Sequence, residues 1–260
     1  MVTFCSRQSW LFWMALIAVG AHAQTGSTAS PAAASLSQWE LLRGIRDFAG
    51  LAAYAEENAT LPAAPANRVI FLGDSITELW GKESSFFPGK PYLNRGIAGQ
   101  TTAQMLLRFR QDVIDLEPAA VIIQGGLADI AGFAGPSSLE EIENNLQSMA
   151  ELASFHHIRP ILVGAPPAAD YPGRTGPEPA TQIVALNQWV AGYCASAHFV
   201  FLDYHSALVG SHGQMKDGVS VDGVHPNAKG YSLLRPLAER AIADALKQRA
   251  NGVAERRDHR

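Results

Sequence analysis

The spacing of apolar positions changes along the chain, and the changes mark out elements. From Arg68 onward, short continuous apolar runs alternate with longer stretches of helical spacing. Val69–Leu72, Pro91–Asn94, Ala119–Gln124, Pro160–Val163 and Phe199–Leu202 read as strands. Runs without polar alternation suit strands covered on both faces of a parallel sheet. Thr101–Leu116, Ser138–His156, Pro179–Ser196 and Asn227–Gln248 read as helices. Ser138-Leu139-Glu140-Glu141 has the form of a capping box, and Pro226 stands just before the last helix. Strand–helix alternation predicts one parallel sheet with helices on both faces. The expectation is an α/β chain, a flavodoxin-like three-layer α/β/α sandwich around a five-stranded parallel sheet. No internal repeat or second domain is visible, so residues 35–250 form one domain. Ser35–Asn58 carries Leu36, Trp39, Leu42, Ile45, Phe48, Leu51 and Tyr54 at helical spacing, predicting a helix packed on the domain rather than a functional element. Asn251–Arg260 reads as a frayed, disordered tail.

The first residues have another character. Arg7, the apolar run Trp10–Gly20 and Ala21-His22-Ala23 form the three parts of a secretory signal, expected to be cut after Ala23. The apolar run is too short to span a bilayer comfortably, so no stable membrane anchor is expected and the mature chain is periplasmic or secreted. Gln24–Ala34 is a flexible Ser/Thr/Ala-rich lead-in. Cys5 leaves with the signal, and Cys194 then has no partner for an internal disulfide and reads as a small core residue. At 260 residues, 47% hydrophobic and 17% charged, the chain can bury one good core. A net charge of −4 argues against a nucleic-acid partner. Asn58-Ala59-Thr60 matches a glycosylation sequon, a pattern short enough to arise by chance.

Chemistry in such a fold collects at the carboxyl ends of the strands. Arg68–Thr77 reads as strand, tight turn at Gly73, then a helix beginning at Ser75. A serine there presents its hydroxyl at the sheet edge, with its N–H unpaired in the first helical turn. Asp74-Ser75 is equally a helix cap. Asp222 and His225 stand three apart before the last helix, where a carboxylate can orient an imidazole. Ser75, His225 and Asp222 together suit acyl transfer. Asp74, Asp129, Asp222 and His225 are scattered, without metal-ligand spacing, so no metal and no cofactor are expected. His156-His157 reads as a helix-end charge pair. Gly96–Gly99 lacks a phosphate-loop fingerprint and is better used as an N–H donor loop beside the serine.

These segments resemble the SGNH/GDSL hydrolase family of esterases and lipases. Gly73-Asp74-Ser75-Ile76-Thr77 is similar to its nucleophile block. Asn94-Arg95-Gly96-Ile97-Ala98-Gly99 resembles the second block, and Asp222-Gly223-Val224-His225-Pro226-Asn227 the last. The resemblance implies Ser75 as nucleophile, His225 as base, Asp222 as its orienting acid, and the Ser75 and Gly96 N–H groups as oxyanion donors. The family's third block reads Gly-x-Asn-Asp, its Asn amide being a further donor; here Gly126-Leu127-Ala128-Asp129 stands instead, and Ala128 has no side-chain donor. The expected activity is hydrolysis of a small-molecule ester with a small or short acyl group, weakened by Ala128. Lysophospholipase, thioesterase or carbohydrate deacetylase activity, and a non-catalytic acyl- or sugar-binding module, remain open, as does oligomeric state. Trp80, Phe86, Phe87 and Tyr171 are candidates for the pocket lining or for ordinary packing.

Overall fold

The computed structural model describes residues 45–171 and 179–257, with backbone alone over 248–257. Five strands form its sheet: β1 (Val69–Gly73), β2 (Tyr92–Gly96), β3 (Ala120–Gln124), β4 (Arg159–Gly164) and β5 (Val200–Asp203). Every neighbouring pair is parallel, in the order β2-β1-β3-β4-β5. This is the expected flavodoxin-like sheet, with its switch point between β1 and β3, where such folds open a crevice. Helices follow the strands: α1 (Ala55–Thr60) precedes the sheet, then α2 (Ser75–Glu83), α3 (Thr102–Leu107), α4 (Phe109–Asp112), α5 (Leu127–Ile130), α6 (Leu139–Phe155), α7 (Pro179–Ala197), α8 (Tyr204–Leu208) and α9 (Ala228–Arg257). Among the described residues, no helix is long and apolar enough to cross a membrane.

The period of two along each strand divides the core in two. On one face Val69, Phe71, Ile122 and Val163 pack with Trp80 of α2 and Tyr231, Leu234 and Ile242 of α9. On the other, Ile70, Leu72, Val121 and Ile123 pack with Met105, Phe109, Ile142, Leu146 and Val190. Full burial of each such aliphatic side chain contributes about 1.5–3 kcal/mol, so β1 and β3, buried along their whole length, set the sheet's place. Trp80, Phe86 and Phe87 belong to the first layer: Trp80 stacks on Tyr231 (5.0 Å, 30°) and meets Phe71 edge-on (6.0 Å). They are packing aromatics, and the pocket-lining reading falls for these three. Cys194 is a buried free thiol, pushed up to about 11 by burial.

Three elements depart from the sequence expectation. The helix expected over Thr101–Leu116 is broken at Arg108 and Val113 into α3, α4 and a 3₁₀ turn, Ile114–Leu116. The break turns the Arg108 side chain inward. A buried guanidinium needs partners, and it donates to Gln100 Oε1 (2.5 Å), Gly73 O (3.0 Å) and Asp112 Oδ2 (3.1 Å). The helix expected over Ser35–Asn58 is also absent through residues 47–54, where Phe48 and Leu51 are 49% and 42% exposed. Asp47 accepts the Leu51 and Ala52 N–H groups, and Gly50 turns the chain. The carbonyls of Phe48, Ala49 and Leu51 accept side-chain amides of Gln104, Gln100 and Gln111, each at 2.7 Å, in place of helical N–H groups. The expectation for 35–44, the lead-in and the signal segment lie outside the described residues. Finally, α9 runs to Arg257, beyond its expected end at Gln248. Pro236 is behind it, and a lone Gly252 costs a helix only about 1 kcal/mol.

Candidate active site

β1 delivers the chain to its carboxyl edge at Gly73, and Asp74 caps α2 there. Its Oδ1 accepts the Ile76 N–H (2.9 Å) and its Oδ2 the Gln124 side-chain amide (3.2 Å). Burial pushes this carboxyl up to about 6, against the pull of those two hydrogen bonds. Capping by Asp74 leaves Ser75 as the first helical residue, 8% exposed, and its N–H donates to no group among the described residues.

The turn before α9 brings the other two candidates to this serine. His225 Nε2 lies 2.9 Å from Ser75 Oγ, and His225 Nδ1 lies 2.7 Å from Asp222 Oδ2. Asp222 Oδ1 accepts the N–H groups of Val224 (3.0 Å) and His225 (2.8 Å). Partial burial raises the Asp222 carboxyl, but these bonds and the one to the ring outweigh it and leave the group below its ordinary value. An ionised Asp222 favours the tautomer with hydrogen on Nδ1, leaving the Nε2 lone pair for the serine proton.

Sequence reasoning missed the residues that hold this turn. The Ser220 hydroxyl donates to His225 O (2.8 Å) and accepts the Gly223 (2.8 Å) and Asp222 (3.2 Å) N–H groups. Asn227 Nδ2 donates to Gly218 O and Ser220 O. The Tyr231 hydroxyl donates to Ile76 O (2.8 Å), tying α9 to the nucleophile helix. A run of turn-forming residues from Gly218 to Asn227 is the signal that marked this stretch.

The loop after β2 corrects one expectation. Gly96 N–H is taken by Asn94 Oδ1 (2.9 Å), so it is not open to a substrate oxygen. Glycine is required there for a different reason: a Cβ would stand 2.1 Å from the Glu78 backbone nitrogen, where β2 crosses α2. Further along, Ile97 N–H donates to Gly73 O (3.0 Å), Ala98 N–H to Glu78 Oε2 (2.6 Å) and Gln100 N–H to Ile97 O (3.2 Å). Thr101 and Thr102 N–H donate to Gln104 Oε1 and the Asp129 carboxylate. Gly99 N–H alone in this run donates to nothing among the described residues. Gly99 holds φ +75°, as the third residue of a type II turn demands.

The remaining candidates separate. Asp129 is buried and spent on Thr102; burial raises its carboxyl while the Thr102 bonds lower it. No group of three or more His, Cys, Asp or Glu among the described residues is placed to hold a metal. His156 and His157 sit between α6 and β4, at the amino edge away from Ser75. Asn58 is engaged by Arg95, Asp112 and Gln111, so the sequon's amide is a structural group. Leu127 packs with Ile76, Ala165, Ala168, Ile183 and Val224, an apolar floor that includes the chain neighbours of Ser75 and His225. Ala128, 2% exposed, contributes a methyl. Tyr171 packs on this floor and meets Phe133 edge-on (5.3 Å), and Phe133 flanks Gly99. Of the aromatic candidates, Tyr171 stays at the site, and Phe133 joins it without having been singled out.

Comparison with known proteins places these features in company. Residues 71–233 match the GDSL-like lipase/acylhydrolase family. The chain is 39% identical to a Bacteroides fragilis protein assigned as an acylhydrolase, with a TM-score of 0.74 over 76% of this chain and 98% of that one. It is 38% identical to a GDSL-like lipase of Bacteroides thetaiotaomicron, with the same TM-score, over 76% of this chain and 99% of that one. It is also 35% identical over 85 residues to an uncharacterized lipoprotein, YqeF, of Bacillus subtilis (strain 168). That match takes in 32% of this chain and only 35% of the length of the relative.

Proposed function

The chain belongs to the GDSL-like lipase/acylhydrolase family, and from that premise we propose that it is a serine esterase acting on small or short-chain acyl esters. The observation that carries the reading is the continuous hydrogen-bonded line Ser75–His225–Asp222, at 2.9 and 2.7 Å. Ser75 Oγ attacks the carbonyl carbon while its proton passes to His225 Nε2. The carbonyl oxygen becomes an oxyanion, for which the N–H groups of Ser75 and Gly99, which donate to nothing among the described residues, are the donors. The tetrahedral intermediate collapses, the C–O bond to the alcohol breaks, and His225 returns the proton to the departing oxygen. Water then attacks the acyl-enzyme, giving a proton to His225, and the second collapse releases the acid and restores Ser75. Asp222 keeps the ring oriented and stabilises the imidazolium.

With Ala128 in place of the family's Asn, the oxyanion has two donors rather than three. Removing one such donor typically costs about 10²–10³ in turnover, so the reading is of a weakened esterase. The test is a serine-reactive fluorophosphonate followed by peptide mass spectrometry. Labelling confined to Ser75, and absent in Ser75→Ala, is the expected result. A folded, unlabelled protein would favour a non-catalytic acyl- or sugar-binding module. Hydrolysis of a panel of short- and long-chain esters, thioesters, lysophospholipids and acetylated sugars then assigns the substrate. The signal-like Met1–Ala23 and the lipoprotein relative support export to the periplasm or beyond; a mature chain from the native host beginning at Gln24 is the outcome expected.

A further inference from the structure

We propose that Glu78 is the positioning residue of the oxyanion loop: carried on the nucleophile's own helix, its carboxylate accepts the Ala98 N–H and thereby aims the next N–H, that of Gly99, at the carbonyl that Ser75 attacks. This rests on the esterase reading above. The base of the loop is fixed by backbone and by Asn94, whose Nδ2 donates to Thr77 O (2.6 Å) while its Oδ1 accepts Gly96 N–H. Ile97 N–H donates to Gly73 O at the same level. Beyond Ile97 the chain leaves the sheet and turns, and Ala98 is exposed. At that tip the side chain that holds a backbone N–H is Glu78, at 2.6 Å.

The donor lies in the peptide Ala98–Gly99, and each neighbouring peptide is held: Gln100 N–H of the one after donates to Ile97 O, and Ala98 N–H of the one before donates to Glu78. The first of these bonds is internal to the turn and the second ties the turn to α2, so without Glu78 the whole tip can swing away from the serine. The other carboxylate oxygen of Glu78 pairs with Lys82, which offsets its negative charge near the developing oxyanion. Serine and donor loop are thus joined through one helix.

The experiment compares wild type, Ser75→Ala, Glu78→Ala and Glu78→Gln on p-nitrophenyl acetate, with thermal melting and inhibition by a boronic acid that forms a tetrahedral adduct on serine. Misaiming one donor should cost less than deleting it, so Glu78→Ala is expected to lower kcat about 5- to 50-fold with KM within about twofold. Its boronate affinity falls in parallel and its melting temperature stays within a few degrees. Glu78→Gln keeps an oxygen for Ala98 and restores most of kcat. Wild-type kcat in Glu78→Ala, or a Gln variant as impaired as the Ala variant, overturns the assignment while Ser75→Ala remains inactive. If the wild type is itself inert, or Ser75→Ala is fully active, the esterase reading fails and the role of Glu78 fails with it.

Discussion

Replacing Asp222 by Asn exchanges one oxygen for an NH₂ group and leaves the shape of the side chain unchanged. The two bonds that shape the turn, Val224 N–H (3.0 Å) and His225 N–H (2.8 Å), both end on Oδ1, which an amide oxygen reproduces. The position 2.7 Å from His225 Nδ1 then holds a donor instead of an acceptor. The ring responds by moving its proton to Nε2, where it points at Ser75 Oγ, 2.9 Å away, and can no longer take the serine's proton. Reaction through the other tautomer loses a hydrogen bond to a charged group, about 1.5–3 kcal/mol, and leaves opposed donors partly unsatisfied, about 1–3 kcal/mol more. The sum, about 2.5–6 kcal/mol at about 1.4 kcal/mol per tenfold, predicts a fall in kcat of about 10²–10⁴. Initial rates on p-nitrophenyl acetate measure it, beside a melting curve expected to change little because the turn is kept. An Asn variant within fivefold of wild type would refute the tautomer argument and remove Asp222 from the catalytic line.

Other perturbations have equally definite outcomes. Ala128→Asn should raise turnover by about one to three powers of ten, with a smaller change in KM, if an amide there completes the oxyanion site; Leu127→Thr is made alongside to give the amide room, and unchanged kcat in both sinks the idea. Asp74 binds its proton more tightly folded (about 6) than at the ordinary 3.8, so stability should fall as pH rises through that window, by about 3 kcal/mol in all. Urea unfolding at pH 4 and pH 7 of wild type and Asp74→Asn checks this, since the Asn variant lacks that drop; equal pH slopes in the two would count against a raised carboxyl. Ser220→Ala should lower kcat about tenfold and displace the pH–rate profile, because the turn carrying Asp222 and His225 loses three bonds; an unmoved profile would make Ser220 a purely structural group.

The strands were legible because burial on both faces writes itself as uninterrupted apolar runs, and Ile70, Phe71 and Leu72 have no other use. The nucleophile turn was legible for the same reason: Gly73 interrupts such a run. What stayed hidden is held by polar side chains bonded to backbone. Arg108 looks like the solvent side of a helix, since nothing local shows that Gly73 O, Gln100 and Asp112 will surround it. Phe48 and Leu51 sit at helical spacing yet stay exposed, because the glutamine amides that take the carbonyls of Phe48, Ala49 and Leu51 lie 51 to 60 residues away in sequence. The Gly96 expectation failed on a similar point. A pattern shows where glycines are, whereas which N–H is left over depends on Asn94, Glu78 and Gln104 together.

The stretch that carries the family signature begins at residue 71, yet the working unit starts earlier. Tyr54 gives its hydroxyl proton to Gly96 O, Glu57 and Asn58 hold the Arg95 guanidinium, and Ala49 O receives Gln100, so residues 47–58 form a brace along the outer edge of β2 and its loop. An N-terminal deletion series therefore has two thresholds. Shortening to Asp47 leaves the brace intact. Shortening to Arg68 keeps every strand and every reacting group but strips the edge strand and its loop of the bonds that residues 47–58 make to them, so catalytic competence is lost in a chain whose sheet still assembles.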